Sequence, residues 1–304
     1  MRIAVLGAGG VGGYFGGALA RAGHDVALLA RGAHLDAVRE KGLEIRTPEG
    51  AFTVRVAAES EAEALGPVDL ALVAVKTYSL AEIASAAAVL ARQGADVVPL
   101  LNGVDAAERL IESGVPAERV LGGLTHLSAA RVEPGVVELR SPFQRVIVGE
   151  RAGGLSERAE RIAAAFKEAG VDAWASARID VDLWRKFAFI SSMAAACGLS
   201  RTAIGPIREK PLGFLLFERL VREVIAVGQS LDVPLTVEDE TQVLGFVASL
   251  PSTMKPSFLL DLESGGMTEI DDLSGAVSRL GRKEGVETPV HDVATAVLGS
   301  SDGG

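Results

Sequence analysis

Along the first 178 residues, short runs of Val, Leu, Ile and Ala alternate with longer segments of helical periodicity. Arg2–Leu6, Asp25–Ala30, Leu70–Val75 and Asp96–Leu101 read as strands, and Val11–Ala22, Leu35–Lys41, Leu80–Arg92 and Ala106–Ser113 as helices. Strand segments without polar alternation are buried on both faces, so their alternation with helices predicts a parallel, doubly wound α/β sheet. Glu44–Val56 reads as a hairpin turning through Thr47, Pro48, Glu49 and Gly50. Between Val120 and Val148, glycines and the Glu133-Pro134-Gly135 turn predict antiparallel strands appended to that sheet. An amphipathic helix over Leu155–Ala169 ends at Gly170.

From Ile179 onward the pattern turns helical: Asp180–Met193, Gly213–Leu231, Val237–Leu250, Ser257–Glu263, Thr268–Glu284 and Pro289–Leu298, with breaks at Gly205-Pro206, Pro234, Pro251, Pro256 and Gly265-Gly266. The expected organisation is an α/β half, residues 1–178, followed by an all-helical half, residues 179–304, with a frayed tail from Gly299.

Composition narrows the function. With 304 residues, 48% of them hydrophobic, the chain can bury the cores of two domains. The formal net charge of -10 argues against nucleic acid or an anionic membrane surface as partner, so any anion must be held by locally aimed groups. Cys197 is the single cysteine and the four histidines are scattered, which predicts neither a disulfide nor a metal site. The longest apolar stretch, Phe187–Leu199, is too short for a membrane span, and glycines interrupt the N-terminal apolar run where a signal peptide would continue. The expectation is a soluble, cytoplasmic protein.

The first strand runs into Gly7-Ala8-Gly9-Gly10-Val11-Gly12, which opens the first helix. A glycine pattern in that context is the Rossmann dinucleotide fingerprint: Gly7 for the tight turn, Gly9 for backbone approach to the pyrophosphate, Gly12 for close packing of helix on sheet. The second strand ends Leu29-Ala30-Arg31, without the acid that would take a ribose 2′-hydroxyl. Arg31 there suits a 2′-phosphate and favours NADP over NAD, the other reading being a solvated surface charge.

Other strand ends carry Lys76 and Asn102, placed toward the nicotinamide end of such a cofactor unless they merely finish a strand and a turn. His126, in a β run, is a crevice residue or a packed one. Lys186 lies where an initially acidic helix becomes apolar all round. Burial there lowers a lysine pKa and suits it to general-acid work, whereas snorkelling to the surface or pairing with Asp182 are the ordinary alternatives. Glu269 follows Gly265-Gly266 and, with Thr268 as N-cap, reads as a first-turn acid; Ser257 follows Pro256 as a helix-start residue.

Taken together, the glycine loop, Arg31, Val75-Lys76, Asn102-Gly103-Val104, Leu183-Trp184-Arg185-Lys186-Phe187 and Thr268-Glu269-Ile270-Asp271 resemble the ketopantoate reductase (2-dehydropantoate 2-reductase) family over nearly the whole chain. The resemblance implies NADPH-dependent reduction of ketopantoate to pantoate in pantothenate and coenzyme A biosynthesis. It implies Lys186 as general acid, Glu269 as its acidic partner, Ser257 as a substrate carboxylate contact, and Lys76 and Asn102 along the nicotinamide ribose and substrate. A homodimer is a further family-based expectation. Ile190, Ala194 and Ile204 stand where the family carries asparagines, and Met254 where a polar residue is expected, which implies either a more apolar 2-keto acid or polar contacts supplied from elsewhere. The alternatives are a 3-hydroxy acid dehydrogenase of the 6-phosphogluconate dehydrogenase-like group, which also joins a Rossmann half to a helical half, and a non-catalytic NADP-binding protein.

Overall fold

A computed structural model describes residues 1–299. The chain divides into two units, Met1–Leu101 with Asp105–Ile179, and Asn102–Val104 with the residues from Asp180 onward. Three residues that follow a strand of the first unit, Asn102–Val104, group with the helical residues. Val104 packs against the helical core, and Asn102 is bonded within it. The tail beyond Gly299, expected to fray, lies outside the described residues.

In the first unit the strands are β1 (Arg2–Leu6), β2 (Asp25–Leu29), β3 (Leu43–Thr47), β4 (Gly50–Val54), β5 (Ala57–Glu59), β6 (Leu70–Val73), β7 (Asp96–Pro99), β8 (Gly122–His126), β9 (Ala129–Glu133), β10 (Val136–Leu139), β11 (Arg145–Gly149) and β12 (Asp172–Ala175). Its helices are α1 (Gly10–Arg21), α2 (Gly32–Lys41), α3 (Leu80–Arg92), α4 (Ala106–Glu112) and α5 (Glu157–Glu168). The central sheet has the order β5-β2-β1-β6-β7, parallel throughout. Alternation along β1 sends Ile3 and Val5 into one core with Phe15 and Leu19 of α1, and Ala4 and Leu6 into the other with Leu80 and Leu90 of α3. Both faces are covered, as the unbroken apolar strands predicted.

The antiparallel strands do not extend that sheet. They form two separate ones, β4-β3-β10-β9 and β12-β11-β8, and a parallel bridge from Val97 to Val120 meets β7. The glycines of α1 explain the first of these. A Cβ at Gly13 would lie 2.7 Å from Val137, and one at Gly17 would lie 2.6 Å from Ile45, so the side of α1 turned from the central sheet accepts a second sheet at close range.

In the second unit the helices are α6 (Ile179–Ser200), α7 (Ile204–Arg208), α8 (Pro211–Ser230), α9 (Val237–Ser249), α10 (Ser257–Glu263), α11 (Ser274–Glu284) and α12 (Pro289–Leu298). Three differ from expectation. Helix α6 continues past Met193 through alanines that offer no stop signal, and ends before Arg201, which takes a φ of 53°. The expected break at Gly205-Pro206 is the first turn of the short α7, where proline has no hydrogen bond to lose. Helix α11 begins at Ser274, so Thr268 is not its N-cap and Glu269 lies before the helix, where its carbonyl accepts from the amides of Asp272 and Leu273. Among the described residues, no helix is long and apolar enough to cross a membrane, and no cluster of His, Cys, Asp or Glu has the makings of a metal site.

Candidate active site

Burial of Lys186 is the starting point. Lys186 is carried on α6 and is 9% exposed. Its ammonium donates to Asn102 Oδ1 at 3.2 Å, and Asn102 Nδ2 donates to Glu269 Oε2 at 3.2 Å. An ammonium only donates and a carboxylate only accepts, so this is the amide orientation that satisfies both neighbours. Glu269 is itself 5% exposed. Lys186 and Glu269 are thus joined through Asn102. Burial pulls the Lys186 pKa from 10.5 down to about 8, against the opposing pull of the Glu269 charge.

The neighbours of Lys186 on α6 fix the helix. Trp184 packs edge-on to Phe187 at 5.7 Å, and on α8 a Cβ at Gly228 would lie 2.8 Å from the Trp184 ring. Arg185 bonds Asp182 at 2.8 Å, ion-pairs with Asp239 of α9 at 3.6 Å and donates to Gln242. Asp182 is therefore engaged by Arg185, and the alternative of a Lys186–Asp182 pair is not realised among the described residues. One turn beyond Lys186, Ile190 is half-buried, while Ala194 and Ile204 are fully buried. Ser257 opens α10 exposed to solvent, and no bond joins it to Lys186, Asn102 or Glu269 among the described residues.

In the first unit, the segment Gly7–Gly12 joins β1 to α1. Gly7 takes a φ of +104°, a conformation that favours glycine, and a Cβ there would lie 2.5 Å from Val75. A Cβ at Gly12 would meet the Gly7 carbonyl oxygen at 2.1 Å, so only glycine lets α1 sit this close to β1. A Cβ at Gly9 would have nothing within 4 Å, leaving open space before the helix N-terminus. Ala8 is buried and Gly10 and Val11 are half-buried beside it.

Arg31 occupies the N-cap position of α2, with an exposed side chain 3.8 Å from Glu82. It lines a cavity of about 380 Å³ with Ala33, His34, Arg131, Val132, Glu133 and Pro134. His34 and Arg131 were not singled out in the sequence: the first sits inside a helix and the second in a β run, and their meeting depends on the second sheet. Lys76 is exposed just past β6, at the start of a 3₁₀ turn over Thr77–Ser79. His126 ends β8 half-buried, opposite Arg145 of β11.

Comparison with known proteins gives concordant matches. The family described as "Ketopantoate reductase PanE/ApbA" matches residues 3–153, and its C-terminal counterpart matches residues 178–301. The chain is 36% identical to the 2-dehydropantoate 2-reductase of Halobacterium salinarum, over 95% of each chain. Among solved structures, 2-dehydropantoate 2-reductase from Geobacter metallireducens superposes with a TM-score of 0.88 at 28% identity, covering 98% of this chain and 99% of that one. A D-mandelate dehydrogenase solved with NADH and anilino(oxo)acetate also gives 0.88, at 27% identity, covering 98% of this chain and 97% of that one.

Proposed function

The chain belongs to the ketopantoate reductase family of oxidoreductases, and on that premise we propose that it reduces a 2-keto acid to the 2-hydroxy acid with NADPH as donor, ketopantoate being the first candidate substrate. The observation that carries this reading is the hydrogen-bonded Lys186–Asn102–Glu269 chain with both charged ends buried. The open space at Gly9 beside a helix N-terminus and the exposed Arg31 guanidinium just past β2 fit a dinucleotide with a 2′-phosphate. When bound, the reduced nicotinamide supplies the hydride.

Everything else falls to side chains of this protein. Hydride addition leaves charge on the former ketone oxygen, and an ammonium hydrogen-bonded to that oxygen stabilises the charge and then donates its proton. Lys186 suits this role because its pKa near 8 makes it both protonated at neutral pH and willing to give the proton up. Asn102 aims the ammonium, and the Glu269 carboxylate behind it keeps the ammonium charged between turnovers. Lys76 and Ser257 are proposed to contact the ribose and the substrate carboxylate.

A second reading concerns the acceptor. Ile190 stands one turn after Lys186 and Ala194 two turns after it, offering no hydrogen bond to a hydroxylated substrate, and one structural neighbour is a D-mandelate dehydrogenase. Both point to a 2-keto acid with an apolar branched or aromatic tail. Assaying a panel of 2-keto acids, ketopantoate among them, with NADPH and NADH decides. Ketopantoate turnover with NADPH supports the first reading, preference for an apolar 2-keto acid the second, and no turnover with any member overturns the reductase assignment.

A further inference from the structure

The cavity beside Arg31 has walls from two distant parts of the chain. The start of α2 contributes Arg31, Ala33 and His34, and β9 with its turn contributes Arg131, Val132, Glu133 and Pro134. Two contacts hold the walls in place. The Gly135 amide donates to His34 Nδ1 at 2.9 Å, tying the β9–β10 turn to α2. A Cβ at Gly10 would lie 2.1 Å from the Ala129 carbonyl oxygen, so the backbone of β9 is pressed against the first turn of α1. Arg131 stands two residues further along β9, on the same face as Ala129.

Charge in this cavity is unbalanced toward the positive. Glu133 is taken by Arg46 at 3.2 Å, and Arg31 has only a long, exposed pair with Glu82 at 3.8 Å. The Arg131 side chain forms no ion pair and no hydrogen bond among the described residues. Its field is nevertheless felt: burial first, then Arg131, holds the His34 imidazole below its ordinary 6.5, so the histidine is the neutral acceptor that the Gly135 bond requires.

We propose that Arg131 is a second specificity-determining residue of the dinucleotide site, meeting from β9 the same ribose 2′-phosphate that Arg31 meets from α2. The inference rests on the NADPH reading and deepens it. A phosphomonoester presents three oxygens and close to two negative charges, more than one guanidinium fork satisfies, and a second arginine with no partner to give up adds charge-assisted bonds on binding. A 2′-hydroxyl offers Arg131 nothing of the kind. The preference for the phosphorylated cofactor is therefore divided between the loop after β2 and the second sheet.

The test is calorimetric titration of the full chain with adenosine 2′,5′-bisphosphate and with adenosine 5′-monophosphate, which needs no turnover. Arg131→Ala and Arg131→Gln are each expected to weaken the bisphosphate about tenfold, as for loss of one charged hydrogen-bonding group, leave the monophosphate within about twofold, and flatten the salt dependence of bisphosphate binding. Arg131→Lys is expected to recover part of the loss. If Arg31→Ala loses bisphosphate affinity while both Arg131 variants bind like wild type, the Arg131 assignment is overturned and the NADPH reading stands. If the wild-type chain binds both nucleotides equally, the NADPH reading fails, and this inference with it.

Discussion

Lys186 is linked to the Glu269 carboxylate through Asn102, at 3.2 Å on each side of the amide. A direct contact with Glu269 would raise the ammonium pKa strongly and make the proton hard to release. The interposed amide keeps the attraction weaker than the effect of burial, and the balance settles near 8. Because the proposed proton donor is the protonated lysine, the rate of ketone reduction should be level below pH 8 and fall above it. Replacing Glu269 with Gln removes the influence that raises the pKa, so the alkaline limb should move to lower pH. Lys186→Met should lower kcat about 10²- to 10⁴-fold with little change in dinucleotide affinity. Stopped-flow reduction across pH 6–10 checks the limb, and an unmoved limb in Glu269→Gln would show that the amide does not transmit the charge.

Gly9 and Gly12 sit three residues apart and should fail in opposite ways. A Cβ at Gly12 collides with backbone at 2.1 Å, whereas one at Gly9 enters open space. Gly12→Ala is expected to unseat α1 from β1 and cost about 2 kcal/mol or more of stability. Gly9→Ala should stay within about 0.5 kcal/mol of wild type yet bind dinucleotide at least tenfold more weakly, because its methyl fills the space before the helix N-terminus. Chemical denaturation and nucleotide titration of the two variants separate the effects.

Local signals account for what was legible in the chain. The parallel sheet followed from strands such as Leu70–Val73, which are apolar without alternation, and the phosphate loop from glycines in a fixed strand-to-helix context. Lys186 stood out because a charge amid Phe187, Ala188 and Phe189 needs a reason. What local signals could not supply was pairing. That β3 and β10 would meet across α1 depended on which side of that helix its glycines faced, and the same meeting brought Arg131 to Arg31. Thr268-Glu269 has the composition of a helix start, but α11 begins at Ser274 and the Glu269 carboxylate accepts from Asn102, a pairing between distant residues that no local signal carries.

Cys197 is fully buried on α6, and burial pushes its thiol up to about 12. A thiol in that state is almost wholly protonated at pH 8 and shielded from reagent. Ellman's reagent should therefore find no reactive thiol in the native protein and one in denaturant. Rapid native labelling would mean that α6, and Lys186 with it, opens on the reagent's timescale.

Acid should loosen the helical unit through His291. The ring is fully buried; the Leu220 carbonyl can only accept, so Nε2 carries the proton at 3.2 Å, and Nδ1 is left to accept from the Ser274 hydroxyl at 3.1 Å. Burial lowers the pKa from 6.5 to about 4. The unfolded chain therefore binds this proton first, and the stabilisation from neutral His291 is complete above pH 6.5 and lost progressively as pH falls toward 4. A separation of that size corresponds to roughly 3 kcal/mol. Glu223, whose carboxylate caps the Val290 and His291 amides, has a pKa raised by burial, so its linkage runs the other way. Comparing wild type with His291→Gln isolates the histidine. The variant should be less stable at pH 7 and should show a shallower decline of unfolding free energy between pH 6.5 and 4. Parallel declines in the two proteins would place the acid sensitivity elsewhere.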